Sequence, residues 1–169
     1  MTGPLKQLFT GVTTSPSREF IAERIQPHHD RVVLPCVGRW AVPVAAVSRG
    51  VKPEQIEASD LSLFSTVIGY LHDPRHSLDE LNVTVPSQYE RYVRNPKDEY
   101  DLAAGYLLVL KMLSTPATNV YVSEFRRNLW QNAESFREAV ADALRKQQEI
   151  LGGARYDVAD VRLVLQDLR

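Results

Sequence analysis

The sequence predicts an α/β fold in which short parallel strands alternate with helices, and three observations carry that expectation. Short apolar runs stand at Val32-Val33-Leu34 and at Ile56 to Ser59, each ending in turn residues. Between and after them the apolar spacing becomes helical, from about Trp40 to Arg49 and again from Leu61 to Leu71. The first run turns at Pro35-Cys36-Val37-Gly38, and the second ends on Asp60. Strand, turn, helix, strand and acid follow one another within about thirty residues, the usual compass of such a unit. The chain of 169 residues suits one domain with a real core. Within it, 15–74 reads as a strand–helix–strand unit, 75–153 as a mainly helical insertion and 154–169 as a return to the sheet.

Taken in order, Met1 to Thr14 lacks periodicity and reads as an arm or loop. Ser15-Pro16 is a cap with proline in the first turn, opening a helix to about Gln26 whose Phe20, Ile21 and Ile25 are expected to face inward. The helix after the first strand is built from small residues, Ala41, Val42, Val44, Ala45, Ala46 and Val47, which allow close packing on a sheet; Gly50 stops it. Pro43 is tolerated because it falls in the first turn. Leu61, Phe64, Val67, Ile68 and Leu71 mark the next helix, ended by Asp73-Pro74. Arg75 to Pro96 reads as loop with one short helix. Lys97 to Leu113, Asn119 to Asn132 and Ala133 to Leu151 are helical, the last with Phe136, Val140, Leu144 and Leu151 on one face. A final strand at Ala154 to Tyr156 leads to a helix from Val161 to Leu168, capped by Asp160.

Composition excludes several classes. Hydrophobic content of 44% and charged content of 24% are those of a globular domain, and a net charge of −1 supplies no general attraction to nucleic acid or membrane. One cysteine, Cys36, rules out an internal disulfide and fits a reducing cytoplasm. No apolar run is long enough for a signal peptide core or a membrane span. His28-His29-Asp30 has no second ligand pair, and Pro74 spoils a shared helical face for His72 and His76, so no metal site is expected. No G-x-S-x-G or P-loop pattern occurs.

The chemistry-bearing residues are those of the turn and the acid. Backbone N–H groups at a tight turn and the following helix N-terminus favour a nucleotide-type ligand, and an acid about 20 residues on accepts from ribose hydroxyls. Asp60 lies 22 residues after Gly38. Asp60 also suits a helix N-cap, and the two roles are compatible. The bland alternative is a turn that binds nothing. Arg126, Arg127, Arg137, Arg145 and Lys146 lie on the insertion beside Phe125 and Trp130; they form either a DNA-contact surface or a solvated helix face, diluted by Glu124, Glu134 and Glu138.

LPCVGRW followed by IEASDLS resembles the opening of S-adenosylmethionine-dependent DNA adenine methyltransferases, narrowed to the phage-borne antirestriction adenine methylases. The resemblance runs from about Ser15 to Leu71 and, more weakly, from Arg155 to Leu168. It implies a partial Rossmann-like methyltransferase sheet with a helical insertion, and S-adenosylmethionine as cofactor. Pro35, Cys36, Val37 and Gly38 would line the methionine part, Asp60 would hold the ribose hydroxyls and Leu61 would pack on the adenine ring. Asp160, or else Asp157, would lie near the adenine amine, and Lys6 would match an N-terminal cofactor-binding segment. DNA is the implied substrate, with Arg126, Arg127, Arg145 and Lys146 as its expected contacts. The implied location is the cytoplasm, that of the host for a phage-encoded protein.

Three departures qualify the resemblance. Leu34 replaces an acid, and Trp40 stands where the motif has its last glycine, with bulk to narrow the pocket. The catalytic [DN]-P-P-[YF] motif, which polarises the target amine and stacks on the flipped base, is absent: none of the ten prolines adjoins another. The catalytic residues are therefore unknown. The expected function is the cofactor-binding part of a DNA adenine-N6 methyltransferase, inactive as this chain alone and completed by a C-terminal segment or partner chain. The alternative is a catalytically inactive methyltransferase-like protein that engages a host defence protein or a nucleotide. A Pro-Cys nucleophile at Cys36, as in cytosine-5 methyltransferases, is disfavoured because theirs follows the fourth strand.

Overall fold

The structure is a computed structural model and describes Pro4, residues 14–115 and residues 120–166. The expectations for Lys6, for the arm at Leu5 to Thr13 and for Leu168 lie outside the described residues, as does the side chain of Arg126. Three strands form one parallel sheet in the order β1 (Val32–Pro35), β2 (Ile56–Ser59), β3 (Arg155–Asp157). The register sets Pro35 opposite Ser59 and Ser59 opposite Asp157, so all three strands end side by side.

Side-chain alternation divides the sheet sharply. Val32, Ile56, Ala58 and Tyr156 point to one face and belong to the main core. On the other face Val33, Glu57 and Arg155 stand in register, and Glu57 bridges Arg31 and Arg155, whose side chains are 56% and 58% exposed. The helices cover the apolar face. Helix α1 (Ser15–Ala22) packs on α2 (Ala41–Val47), and α3 (Leu63–His72) lies between β3 and the helices of the insertion. Seven of the residues in α3 are buried, from Ser65 to His72, because it is enclosed by the sheet on one side and by helices on the other. Gly69 permits that closeness: a Cβ there would lie 2.3 Å from Cγ of Tyr156.

The insertion begins with two 3-10 turns, Leu78–Glu80 and Ser87–Tyr92, rather than the single short helix expected. Helix α4 (Glu99–Ser114) follows, started by the Asp98 carboxylate, which accepts from the Asp101 N–H at 2.9 Å. Helices α5 (Val120–Gln131) and α6 (Ala133–Leu151) are separated by Asn132. One side of α4 joins the main core through Ala103, Ala104 and Leu107. Its other side, with Leu108, Val109 and Met112, builds a second cluster with Tyr89, Tyr92, Leu129 and Ala133. A last helix, α7 (Val161–Gln166), follows β3. No helix among the described residues is long and apolar enough to cross a membrane.

Two expectations are corrected. The first helix ends at Ala22, four residues early, and Phe20 and Ile21 are 56% and 39% exposed instead of facing inward. Ala22 is what packs against the body, while Ile25 reaches the core only after the chain has left the helix. Phe20 is covered instead by the guanidinium of Arg24, 3.4 Å from the ring centroid. Helix α2 starts at Ala41 because Trp40 is left-handed, with φ of 64°, and forms its N-cap.

Candidate functional site

The site lies where β1 and β2 end. A parallel sheet brings successive strand ends to one edge, and a ligand crevice forms outside them. The turn after β1 is held to β2 by Val37 N–H, which donates to Ser59 O at 3.2 Å. Cys36, Gly38 and Trp40 have φ of 56°, 55° and 64°. Such left-handed positions cost non-glycine residues about 1–2 kcal/mol each, so the turn stores strain at Cys36 and Trp40. The surrounding hydrogen bonds hold it in place.

Asp60 supplies the strongest of those bonds. Its Oδ2 accepts from Gly38 N–H at 2.9 Å and from Ser65 Oγ at 3.0 Å, and its Oδ1 accepts from Ser62 N–H at 2.9 Å. Ser62, not Asp60, is the N-cap residue of α3, with no side-chain cap bond of its own; Asp60 holds the helix start from two residues upstream. A carboxylate offers about four acceptor positions, so one remains, on Oδ1. Tyr156 closes the inner side: its hydroxyl donates to Asp60 O at 2.9 Å and lies 3.0 Å from Thr66 Oγ1. Burial pushes the Tyr156 phenol up to about 12, so it stays a donor throughout the working pH range.

Trp40 takes the opposite direction to the one its motif position suggested. Its ring is wholly buried, 4.9 Å from the His72 ring and 5.8 Å from that of Tyr156 between centroids. Arg39 O accepts from Gln147 Nε2 at 3.1 Å, tying the turn to α6. With the tryptophan turned inward, the outer side of the turn presents small or open groups. A Cβ built on Gly38 would meet nothing within 4 Å, Cys36 is exposed, and Leu61 shows 63% of its surface beside Asp60.

The fold therefore brings Pro35 to Gly38, Asp60 and Leu61 together. Asp157 ends β3 at the same edge of the sheet, and Asp160 follows it three residues on. The Asp157 side chain is 64% exposed, 3.4 Å from Arg75. Asp160 is clasped by Arg162 at 2.6 Å, and that hydrogen bond draws its carboxyl down to about 2. It also accepts from Arg162 N–H, in keeping with its expected place at the helix start. Sequence reasoning missed Ser62, Ser65, Thr66 and Tyr156. Only Tyr156 carried a signal, as an aromatic in the middle of a short strand. The residues expected to meet DNA fare unevenly: Arg127 and Lys146 are exposed, but Arg145 is bound to Asp98 at 2.8 Å and Asp142 at 2.7 Å.

An apolar surface for a ring, an acceptor for a hydroxyl and an open glycine turn stand together at the strand ends. No curated protein matches the chain, and no solved structure does. The model of a family described as Phage DNA Adenine Methylase-like domain 1 matches residues 9–168, so the chain belongs to that family and has a methylase-related role.

Proposed function

We propose that this chain is the S-adenosylmethionine-binding part of a DNA adenine-N6 methyltransferase, built on half of a Rossmann-like methyltransferase sheet. The observation that carries the reading is Asp60 clamping the Gly38 N–H at the strand ends with three of its roughly four acceptor positions used. When bound, the donor supplies a sulfonium methyl group. The chain's own residues bind and orient it. The Gly38 turn receives the methionine end, and Pro35, Cys36 and Val37 line it. Oδ1 of Asp60 accepts from one ribose hydroxyl, and the second takes the place of the Ser65 hydroxyl on Oδ2. Leu61 covers one face of the adenine, and Asp160 or Asp157 approaches its amine. Holding the donor in one pose is the larger part of what a methyl-transfer site contributes.

No pair of adjacent prolines exists in the chain, so the residues that polarise the target amine come from another segment or a partner chain. Alone, these residues bind donor without turnover. The same absence favours a second reading, a methyltransferase scaffold retained as a binding protein for a nucleotide or a host defence protein. Titration calorimetry with S-adenosylmethionine and its demethylated product tests the first. Saturable heat with the wild type and at least tenfold weaker binding by Asp60→Ala are expected. No heat, or equal affinity in the variant, overturns it.

A further inference from the structure

The helix face carrying Arg145 and Lys146 is partly neutralised, because Arg145 pairs with Asp98 and Asp142. A different part of the insertion has the right chemistry for nucleic acid. The 3-10 turn Ser87–Tyr92 and the α5–α6 junction form two adjoining concavities that share Arg91. One, of about 340 Å³, is lined by Ser87, Glu90, Arg91, Arg94 and Asn95. The other, of about 290 Å³, runs from Arg91 past Trp130 to Asn132.

Arg91 is exposed and meets no carboxylate among the described residues; its guanidinium lies 4.7 Å from the Tyr92 ring centroid and donates to the Tyr92 hydroxyl, which fixes its direction. Arg94 is 69% exposed and pairs with Glu90 at 3.0 Å, an exposed pair of the kind that water and salt readily open. Trp130 is half-buried, its ring 5.4 Å from that of Tyr89, so one aromatic surface is braced from behind. Arg127 stands one turn before Trp130 on the same helix and is exposed. Asn95 adds an amide that suits base edges, while the Asn132 amide already donates to Asn128 O at 3.0 Å. Glu134 lines the second concavity and is paired with Arg137 at 3.2 Å. Guanidinium groups for phosphates beside an indole platform and a side-chain amide are the parts from which nucleic-acid surfaces are made.

We infer that DNA runs along these two concavities, with phosphates at Arg91 and Arg94 and an unstacked base against Trp130. The inference rests on the methylase reading for the identity of the polymer and on this geometry for its place. The test is anisotropy of a fluorescein-labelled mixed-sequence duplex of 20 base pairs, titrated with the full chain across a salt series, together with tryptophan fluorescence. The wild type should bind, and the double variant Arg91→Ala/Arg94→Ala should bind at least tenfold more weakly. Its salt slope should fall by about 0.9 per lost phosphate contact. DNA should quench the tryptophan emission of the wild type and not that of Trp130→Phe, which leaves the buried Trp40 as the sole emitter. Arg145→Ala should bind within twofold of wild type. Equal binding by the double variant, or an equal loss in Arg145→Ala, overturns the inference. So does a wild type that binds the methyl donor by calorimetry but not DNA; a failure of donor binding instead strikes the cofactor reading.

Discussion

Two carboxylates, Asp60 and Asp73, each close a junction next to β3, and they do so in opposite ways. Asp60 follows β2, keeps one acceptor position free and stands beside an exposed leucine and an open glycine. Asp73 follows α3 and is 1% exposed. It accepts from Arg75 N–H, from the Arg75 guanidinium at 2.6 and 2.9 Å, and from Tyr156 N–H at 2.7 Å. Burial alone would raise the Asp73 pKa, but those bonds from Arg75 and the Tyr156 backbone together hold it below the ordinary value. The contrast teaches which acid is built for a ligand: a saturated carboxylate fastens elements together, and an unsaturated one at a strand end has capacity left to bind.

Breaking the saturated junction should have the largest effect. Asp73→Ala leaves the buried Tyr156 N–H without its acceptor and Arg75 with only the longer contacts to Asp157 and Tyr156 O, and should cost about 3 kcal/mol, seen as a lower urea midpoint with an unchanged slope. Asp60→Ala removes partly exposed bonds and should cost only about 1–2 kcal/mol. If the two losses prove equal, Asp60 is a fastener too and the distinction fails.

The same closed side carries a titrating group. His72 is wholly buried, its Nδ1 2.6 Å from Gln148 Oε1, and burial lowers its pKa from 6.5 to about 4. Because the folded state resists protonation, the full stability is present above the unfolded pKa of 6.5 and is lost as pH falls towards 4. The loss should be on the order of 3 kcal/mol at the acid end. Denaturation midpoints measured between neutral pH and mildly acid pH should fall in the wild type and stay nearly flat in His72→Phe. A flat wild-type profile would show that the ring is not enclosed.

The smallest effect sharpens the open side. Cys36 has φ of 56° with an exposed side chain, so Cys36→Gly relieves strain without removing packing. It should raise stability by up to about 1 kcal/mol, read as a rise in melting temperature. A drop would mean that the side chain, not the backbone, holds the turn.

Local signals made much of the frame legible. The apolar run at Val32, the strand from Ile56 to Ser59 and the helix from Ala133 to Leu151 all stand where short-range pattern placed them. The nearness of Gly38 and Asp60 was legible for the same reason, since a turn and an acid at a set spacing leave a mark within one strand–helix–strand unit; the hydrogen bond between them was not, because the spacing pointed both toward a ligand. The Asp73–Tyr156 bond was not, because it joins residues 83 positions apart that share no periodicity. Arg145 looked like a free cation beside Lys146 until folding brought Asp98 against it.

The sequence by itself determined the alternation of strand and helix, the turn at Gly38 and the acid 22 residues on, because those follow from backbone preference and apolar spacing over a few residues. Only the tertiary structure decided that Trp40 turns inward onto His72 and Tyr156, and so leaves the outer side of the Gly38 turn open. Which way a bulky side chain faces depends on the cavity that distant elements build for it, and α3, α6 and β3 build this one.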